Sequence, residues 1–145
     1  MNAIIMGCSR TGSILAGLLA SEGHQVTVLD MNPNAFRLLP PDFGGVVVVG
    51  NGIDEDVLRR AGIEQADAFA AVTQNENQNI MAAQIARHRF NVQRVVCRIH
   101  DPSREQLYES LGLRTINPAR VGAQLVHEAL LREPATAQAE PPRSG

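Results

Sequence analysis

Lysine is absent from this 145-residue sequence, and all 13 basic residues are arginines. Its absence excludes every mechanism that needs a lysine, including the phosphate-loop lysine, the kinase lysine, Schiff-base catalysis and the Tyr-Lys dehydrogenase pair. The 13 arginines nearly balance 15 acidic residues, so no strong basic field indicates a nucleic-acid partner or a polybasic membrane binder. We therefore expect no nucleic-acid partner.

Cysteine and long apolar runs are also scarce. The two cysteines, Cys8 and Cys97, show no CxxC spacing and no nearby Cys/His cluster, which favours a reducing compartment over a disulfide scaffold or a zinc site. The apolar runs are a handful of residues long, against about 20 needed to span a bilayer. The N-terminus enters a strand-like run without a basic n-region. The sequence thus predicts a cytoplasmic protein with no direct membrane insertion and no metal site.

Apolar runs alternate with segments of helical period, a pattern typical of strand-helix units and a mainly parallel sheet. The length fits one domain of ordinary size. Six strands are predicted, at residues 2–6, 25–30, 46–49, 67–72, 94–99 and 114–116. Helices are predicted at residues 10–22, 33–39, 54–62, 75–89, 102–111 and 118–132. The expected fold class is α/β, Rossmann-type and doubly wound. Residues 133–145, rich in Pro, Ala and Gln, are predicted to form a disordered tail or linker.

The final predicted helix carries apolar residues around more than one face: Ala119, Val121, Ala123, Leu125, Val126, Ala129, Leu130 and Leu131. Such a helix needs cover on both sides. Either it lies in a groove of its own domain, or it is shared with a second subunit. The residues alone leave both arrangements open.

A glycine-containing loop follows the first strand and leads directly into a helix: Gly7, Cys8, Ser9, Arg10, Thr11 and Gly12. This context predicts a nucleotide phosphate bound at a helix N-terminus. Ser9 stands where a central glycine would let the backbone approach a pyrophosphate, so we expect its hydroxyl to face the phosphates. Arg10 is the expected cation for a terminal phosphate, in its own site or across a dimer axis. A serine hydrolase is disfavoured because Thr11 replaces the glycine of a nucleophile elbow.

Asp30 ends the second predicted strand, 18 residues after Gly12. A carboxylate at this place is expected to accept the hydroxyls of an adenosine ribose and to repel the 2′-phosphate of NADP. The alternative is that Asp30 only caps the next turn. Further candidates for ligand binding stand at strand ends on the same edge of the sheet: Met31, Asn51, Gly52, Ile53, Thr73, Gln74 and Arg98.

Three of these candidates have specific expected roles. Asn51 is expected to hydrogen-bond an adenine edge, or else to occupy a left-handed turn position. Thr73 is expected to face the ribose or the phosphates. Arg98 either supplies charge to a phosphate or is a solvated strand end.

No catalytic residue is predicted, because none of the four histidines has acid-base or metal-ligand spacing. His100 is the one histidine next to the ligand edge. Cys8 is redox-sensitive if the helix N-terminus stabilises its thiolate, and otherwise a small residue in a tight turn. A Cys8–Cys97 disulfide is implausible, because a strand separates the two in the usual 3-2-1-4-5-6 order.

Several segments taken together resemble one family: IIMGCSRTG, VTVLD, VGNGIDEDVLRRAGIEQADAFAAVT, NQNIMAAQIAR, RVVCRIHDP and LGLRTINPARVG. The chain resembles the RCK/KTN domain, or TrkA N-terminal domain, of cytosolic regulators of potassium channels and transporters. The resemblance covers residues 3 to about 131, within a domain expected at residues 1–132. Ser9 in place of glycine, and Ile53 in place of Ser or Thr, depart from the family pattern and bear on which nucleotide binds.

The resemblance implies an adenine nucleotide (ATP, ADP or AMP) or NAD/NADH at these strand ends. It also implies a homodimer with a crossing final helix, a ring assembly, and a membrane-embedded potassium channel or transporter subunit as partner. The expected function is a nucleotide sensor that is not an enzyme and gates the pore by dimer rearrangement. The alternatives are the cofactor-binding half of an NAD-dependent oxidoreductase, and an orphan nucleotide-binding subunit with a soluble partner.

Overall fold

The computed structural model describes residues 1–134 and shows six strands in one sheet, every adjacent pair parallel. The strands are β1 (Asn2–Met6), β2 (Gln25–Asp30), β3 (Val46–Val49), β4 (Ala68–Ala71), β5 (Arg94–Arg98) and β6 (Arg114–Ile116). The α-helices are α1 (Arg10–Ser21), α2 (Glu55–Arg60), α3 (Glu76–Gln84), α4 (Glu105–Ser110) and α5 (Pro118–Leu131). The predicted doubly wound α/β fold is confirmed. Of the predicted tail, residues 135–145 lie outside the described part of the chain.

Short polar side chains begin the helices, as the sequence predicted. Asp54 and Asn117, for example, each accept a backbone N–H from the first turn of the helix that follows. The same is true of Asn75 before α3, whose Oδ1 accepts from the Gln78 N–H at 3.1 Å. Asn75 and Gln78 have the spacing of a capping box, but only half of it forms, because the Asn75 N–H bonds the Thr73 hydroxyl at 3.1 Å.

Three shorter helical segments complete the connections. Residues Pro33–Leu38, Ile63–Gln65 and Pro102–Arg104 are 3₁₀ turns, the second of which the sequence did not predict. The long helix predicted to reach Arg89 is α3 followed by a π-helical turn at Ile85–Arg89. In that turn the Phe90 N–H reaches the Ile85 carbonyl at 3.2 Å, which widens the last turn of the helix.

The strand order is β3-β2-β1-β4-β5-β6. The order of strand addition reverses between β1 and β4: β2 and β3 extend the sheet on one side of β1, and β4, β5 and β6 extend it on the other. β1 and β4 pair in parallel, with Ala3 opposite Ala68 and Met6 opposite Ala71. Loops leaving the carboxyl ends of these two strands therefore turn to opposite faces of the sheet. Open α/β sheets bind ligands in the crevice that such a switch point creates.

The sheet has a buried cluster on each face. Side chains of α2, α3 and α4, including Leu58, Ile80 and Tyr108, pack with Ile4 and Phe69 on one face. The other face is covered by α1 and the segment after β2: Ile5 and Val28 contact Ala16, Leu15 and Phe36. On that second face β4, β5 and β6 carry no covering helix of the described chain beyond the edge of α1.

No residue of α5 is buried, and all of residues 119–131 are exposed, with exposed fractions of 60% for Leu125 and 78% for Leu130. Of the two arrangements that the sequence left open, a groove formed by residues 1–134 is therefore not the one observed. Within residues 1–134, no helix has both the length and the apolar character that crossing a bilayer requires.

Candidate functional site

The loop after β1 passes very close to the rest of the fold. Gly7 has φ 109°, a left-handed backbone conformation that glycine adopts without strain. A Cβ at Gly7 would lie 2.9 Å from the Thr73 nitrogen, and a Cβ at Gly12 would overlap the Gly7 carbonyl oxygen. Both glycines are therefore needed for the loop to turn into α1 beside the end of β4.

Ser9 caps α1 rather than facing outward. Its hydroxyl accepts from the Gly12 N–H at 3.1 Å and donates to the Val72 carbonyl at 3.1 Å. The expectation that this hydroxyl faces a phosphate is therefore corrected: it ties the start of α1 to the end of β4. The side chain does not crowd the loop, and the first turn of α1 keeps amide N–H groups without intrahelical partners.

Asp30 is held at the end of β2 by two backbone amides. Its Oδ2 accepts from the Cys8 N–H at 2.8 Å, and its Oδ1 accepts from the Asn32 N–H at 2.8 Å. Asp30 does cap the next turn, as the alternative predicted, and it also fastens the glycine loop to β2. A carboxylate has about four acceptor sites, so each oxygen retains capacity for a further hydroxyl donor.

A cavity of about 230 Å³ opens at this edge. Its lining residues are Met6, Gly7, Leu29, Asp30, Met31, Gly50, Gly52, Thr73, Gln74, Asn75 and Gln78. Six of the predicted site residues are thus brought together: Gly7, Asp30, Met31, Gly52, Thr73 and Gln74. Three of the lining residues are apolar, namely Met6, Leu29 and Met31, and the polar side chains come from the end of β2 and from the segment that follows β4. The lining also includes Asn75, which follows Thr73 and Gln74 at the same strand end, and Gln78, which was not predicted as a site residue.

Other predicted site residues lie apart from the cavity. Arg98 and Thr11 line a different, apolar groove on the α1 face of the sheet. Arg10 is exposed on the first turn of α1. Asn51 accepts the Ile53 N–H at 3.1 Å in a side-chain turn, and its φ is not positive. Ile53 itself packs against the buried cluster under α2.

Cys8 is 2% exposed beneath the glycine loop. Burial, and secondly the Asp30 carboxylate, raise the pKa of its thiol. Both effects disfavour a reactive thiolate and favour the interpretation of Cys8 as a small residue in a tight turn. Cys97 is also buried and unpaired, and burial raises the pKa of its thiol to about 11.

Asn79, a fully buried side chain of α3, was not predicted as part of the site. Its Oδ1 accepts from the Thr73 N–H at 3.0 Å and from the Thr73 hydroxyl at 2.6 Å. Its Nδ2 donates to the carbonyls of Thr73, at 3.0 Å, and Arg98, at 3.1 Å. One amide thus fixes the ends of β4 and β5 beside the cavity. The available signal was an asparagine on the apolar stripe of α3, three residues before Ala82.

Glu76 fastens the loop after β5 to the start of α3. Its carboxylate accepts the backbone N–H groups of His100 and Asp101, and it lies 3.5 Å from the Arg104 guanidinium. The His100 ring contacts the Gln74 carbonyl at 3.1 Å. No group of three metal-ligating side chains occurs among residues 1–134. The site is built from binding groups, namely backbone amides, one carboxylate and side-chain amides.

A parallel sheet of this order, with a glycine loop at its switch point and an acidic residue ending β2, defines a Rossmann-type α/β domain. The match to a family model is more specific. The TrkA-N domain model matches residues 3–118, and the chain belongs to the TrkA-N domain family.

Similar proteins carry the same domain. The Trk system potassium uptake protein TrkA of Streptomyces coelicolor is 48% identical over 131 residues, which are 90% of this chain and 59% of that protein. The chain spans about half to three fifths of the length of this and other curated relatives.

Solved structures share the fold. The TrkA-N domain of the inner membrane protein ybaL from Escherichia coli has a TM-score of 0.79 at 21% identity, covering 90% of this chain and 96% of that one. GsuK bound to ADP has a TM-score of 0.74 at 24% identity, covering 90% and 34%. The GsuK channel bound to NAD has a TM-score of 0.65 at 20% identity, covering 79% and 21%.

Proposed function

We propose that this chain is a cytoplasmic nucleotide-sensing domain that regulates a membrane-embedded potassium channel or transporter, and that it does not catalyse a reaction. The observation that carries the proposal is Asp30 beside the glycine loop, at the mouth of a cavity on the switch-point edge. The sensed ligand is an adenine nucleotide or NAD(H). The TrkA relatives and the ADP-bound and NAD-bound GsuK structures support this choice.

In the proposed complex each part of the edge has one task. The first turn of α1 supplies N–H groups to a phosphate, and its positive end favours the negative charge. Asp30 accepts ribose hydroxyls while the backbone bonds from Cys8 and Asn32 keep its carboxylate in place. The base takes the remaining part of the cavity, beside the exposed side chain of Met31. Nothing in this arrangement requires a bond to be broken.

Asp30→Ala should weaken the binding of every adenosine ligand by roughly 10- to 150-fold, the equivalent of about 1.5–3 kcal/mol for hydrogen bonds to a charged group. The affinity would be measured by competition against a fluorescent ADP analogue. Asp42→Ala, an exposed acidic residue away from this cavity, is the matched control and should bind normally. Asp30→Asn, which keeps the shape and one acceptor, should give an intermediate loss.

The Asp30 substitution also removes acceptors for two backbone amides, so the variant must be shown to be folded by its thermal transition. A folded Asp30→Ala protein with native affinity for ADP would refute the ribose assignment.

Arg10→Ala should cost more affinity for ATP than for AMP, because only the longer phosphate chain extends beyond the amides of α1. Titrations of both nucleotides into both proteins give the two ratios directly. Arg94→Ala, at the opposite edge of the sheet, should leave both affinities unchanged. Equal losses of ATP and AMP affinity in the Arg10 variant would show that the Arg10 side chain does not contact the terminal phosphates.

Dimerisation belongs to the same proposal. The exposed helix α5 has an apolar arc that includes Val121, Leu125 and Leu130. An apolar groove of about 500 Å³ lies on the uncovered sheet face, lined in part by Ile14 and Ile116. Within one chain, residues 1–134 cover neither surface. A second copy that places its α5 against the groove of the first covers both, and two-fold symmetry satisfies both chains at once.

Regulation then follows from differential binding. Nucleotides shift the dimer between two shapes only if they bind those shapes with different affinity. A coupling of about 1–3 kcal/mol gives roughly 5- to 150-fold regulation. A ring of such dimers on a pore subunit would pass this shift to the pore.

A further inference from the structure

Gln78 projects into the cavity from the first turn of α3. It is half-buried and lines the cavity together with residues from the ends of β2 and β3. Its backbone N–H is capped by Asn75 at 3.1 Å. Its side-chain amide makes no hydrogen bond to any of residues 1–134, although the polar groups of Thr73, Asn75 and Asn79 beside it are hydrogen-bonded.

The neighbouring hydrogen bonds explain why this amide is left for a ligand. A reciprocal capping box would have directed it back to the Asn75 N–H. That N–H instead bonds the Thr73 hydroxyl at 3.1 Å, and the hydroxyl is itself held by Asn79 at 2.6 Å. The Thr73 hydroxyl, which Asn79 holds in place, thus accepts the Asn75 N–H that the Gln78 side chain would otherwise accept.

Met31 supplies exposed apolar surface near Gln78, and Gly50 and Gly52 line the cavity with backbone alone. A Cβ at Gly52 would overlap the Met6 sulfur, and a Cβ at Gly50 would lie 2.7 Å from Val57. With phosphate at α1 and ribose at Asp30, the base is the part of a nucleotide that remains to be placed here.

A glutamine amide presents one acceptor beside donors, which matches an adenine edge: the 6-amino group donates and an adjacent ring nitrogen accepts. Asn51, which the sequence suggested for this role, is not among the cavity's lining residues, and its oxygen is occupied by the Ile53 N–H. We propose that Gln78 is the residue that reads the 6-amino edge of an adenine base, which makes the site selective for adenine. This inference rests on the proposed nucleotide site.

The test removes the Gln78 side-chain amide and the 6-amino group of the ligand, separately and together, and compares the resulting affinities. Affinities are measured by calorimetry for ADP and for purine riboside 5′-diphosphate, which lacks only that amino group. The native protein should prefer ADP by about 3- to 10-fold, the range expected for one hydrogen bond. Gln78→Met, which keeps the length and removes both hydrogen-bonding atoms, should reduce that preference to about one.

Gln84→Met makes the same chemical change on the same helix, outside the cavity, and should keep the native preference. A merely structural role for Gln78 would weaken both ligands equally and leave their ratio unchanged, which overturns the inference. Saturable binding of both ligands by the native protein with equal affinity also overturns it, while the proposed nucleotide site stands. Absence of binding by either ligand contradicts the site and the inference together.

Discussion

An Asn79→Asp variant should lose about 3–5 kcal/mol of unfolding free energy at pH 7, the usual cost of a buried charge without a partner. Asn79 is fully buried, and its Nδ2 donates to the carbonyls of Thr73 and Arg98. Aspartate replaces that donor with a negatively charged oxygen facing two carbonyl oxygens. The loss is a large fraction of the stability of an ordinary domain, about 5–15 kcal/mol. Urea unfolding monitored by circular dichroism measures it.

Asn77→Asp provides the matched control two residues earlier on the same helix. Asn77 is exposed in the first turn of α3, where a negative charge is favourable to the helix dipole. Its unfolding free energy should therefore remain within about 0.5 kcal/mol of the native value. If the two variants unfold at the same urea concentration, Asn79 does not hold the two strand ends as described.

A Leu125→Glu variant should sediment as a monomer under conditions where the native protein is a dimer. In the proposed dimer the side chains of Val121, Leu125 and Leu130 are removed from water, each contributing roughly 1.5–3 kcal/mol. A carboxylate in the centre of that surface removes one contribution and adds the cost of desolvating a charge. Because α5 buries no residue within its own chain, the fold of the variant should be unchanged. Sedimentation velocity and the far-ultraviolet spectrum report the two properties separately.

The control is Gln124→Glu, which adds the same charge to the polar side of α5. It should remain dimeric. The ADP affinity of the Leu125 variant should persist, since the cavity is formed by strand ends of one chain. A native protein that sediments as a monomer at tens of micromolar, with and without nucleotide, would contradict the dimeric mechanism.

The backbone of this fold could be predicted from the sequence because its signals are local. Short valine-rich and isoleucine-rich runs give the strands, and Asp54 or Asn117 followed by helix formers gives the helix starts within a residue or two. The π turn after Gln84 could not be predicted, since the apolar period continues through it. The course of α5 was undecided for a physical reason: an apolar helix shows that it needs cover but not which surface covers it.

The site could be predicted only in part. Asp30 and Gly7 are fixed by strand and loop geometry, so their positions follow from the pattern strand, glycine turn, helix, strand. The direction of a side chain does not follow from this pattern. Arg98 ends β5 on the same edge, but strand alternation turns its side chain to the face of the apolar groove. The Ser9 hydroxyl was expected to face a phosphate, but its hydrogen bond to Val72, 63 residues away in the sequence, holds it at the start of α1 instead.

Calorimetric titration of the native protein with ATP, ADP, AMP, NAD and NADH decides whether this edge of the sheet binds a nucleotide. We expect saturable binding at one site per chain for at least one adenine nucleotide or NAD(H), and loss of that binding in Asp30→Ala. The opposite result is equally clear. A folded native protein that gives no saturable heat with any of the five ligands, and no shift of its thermal transition in their presence, would contradict the claim that this edge is a nucleotide site.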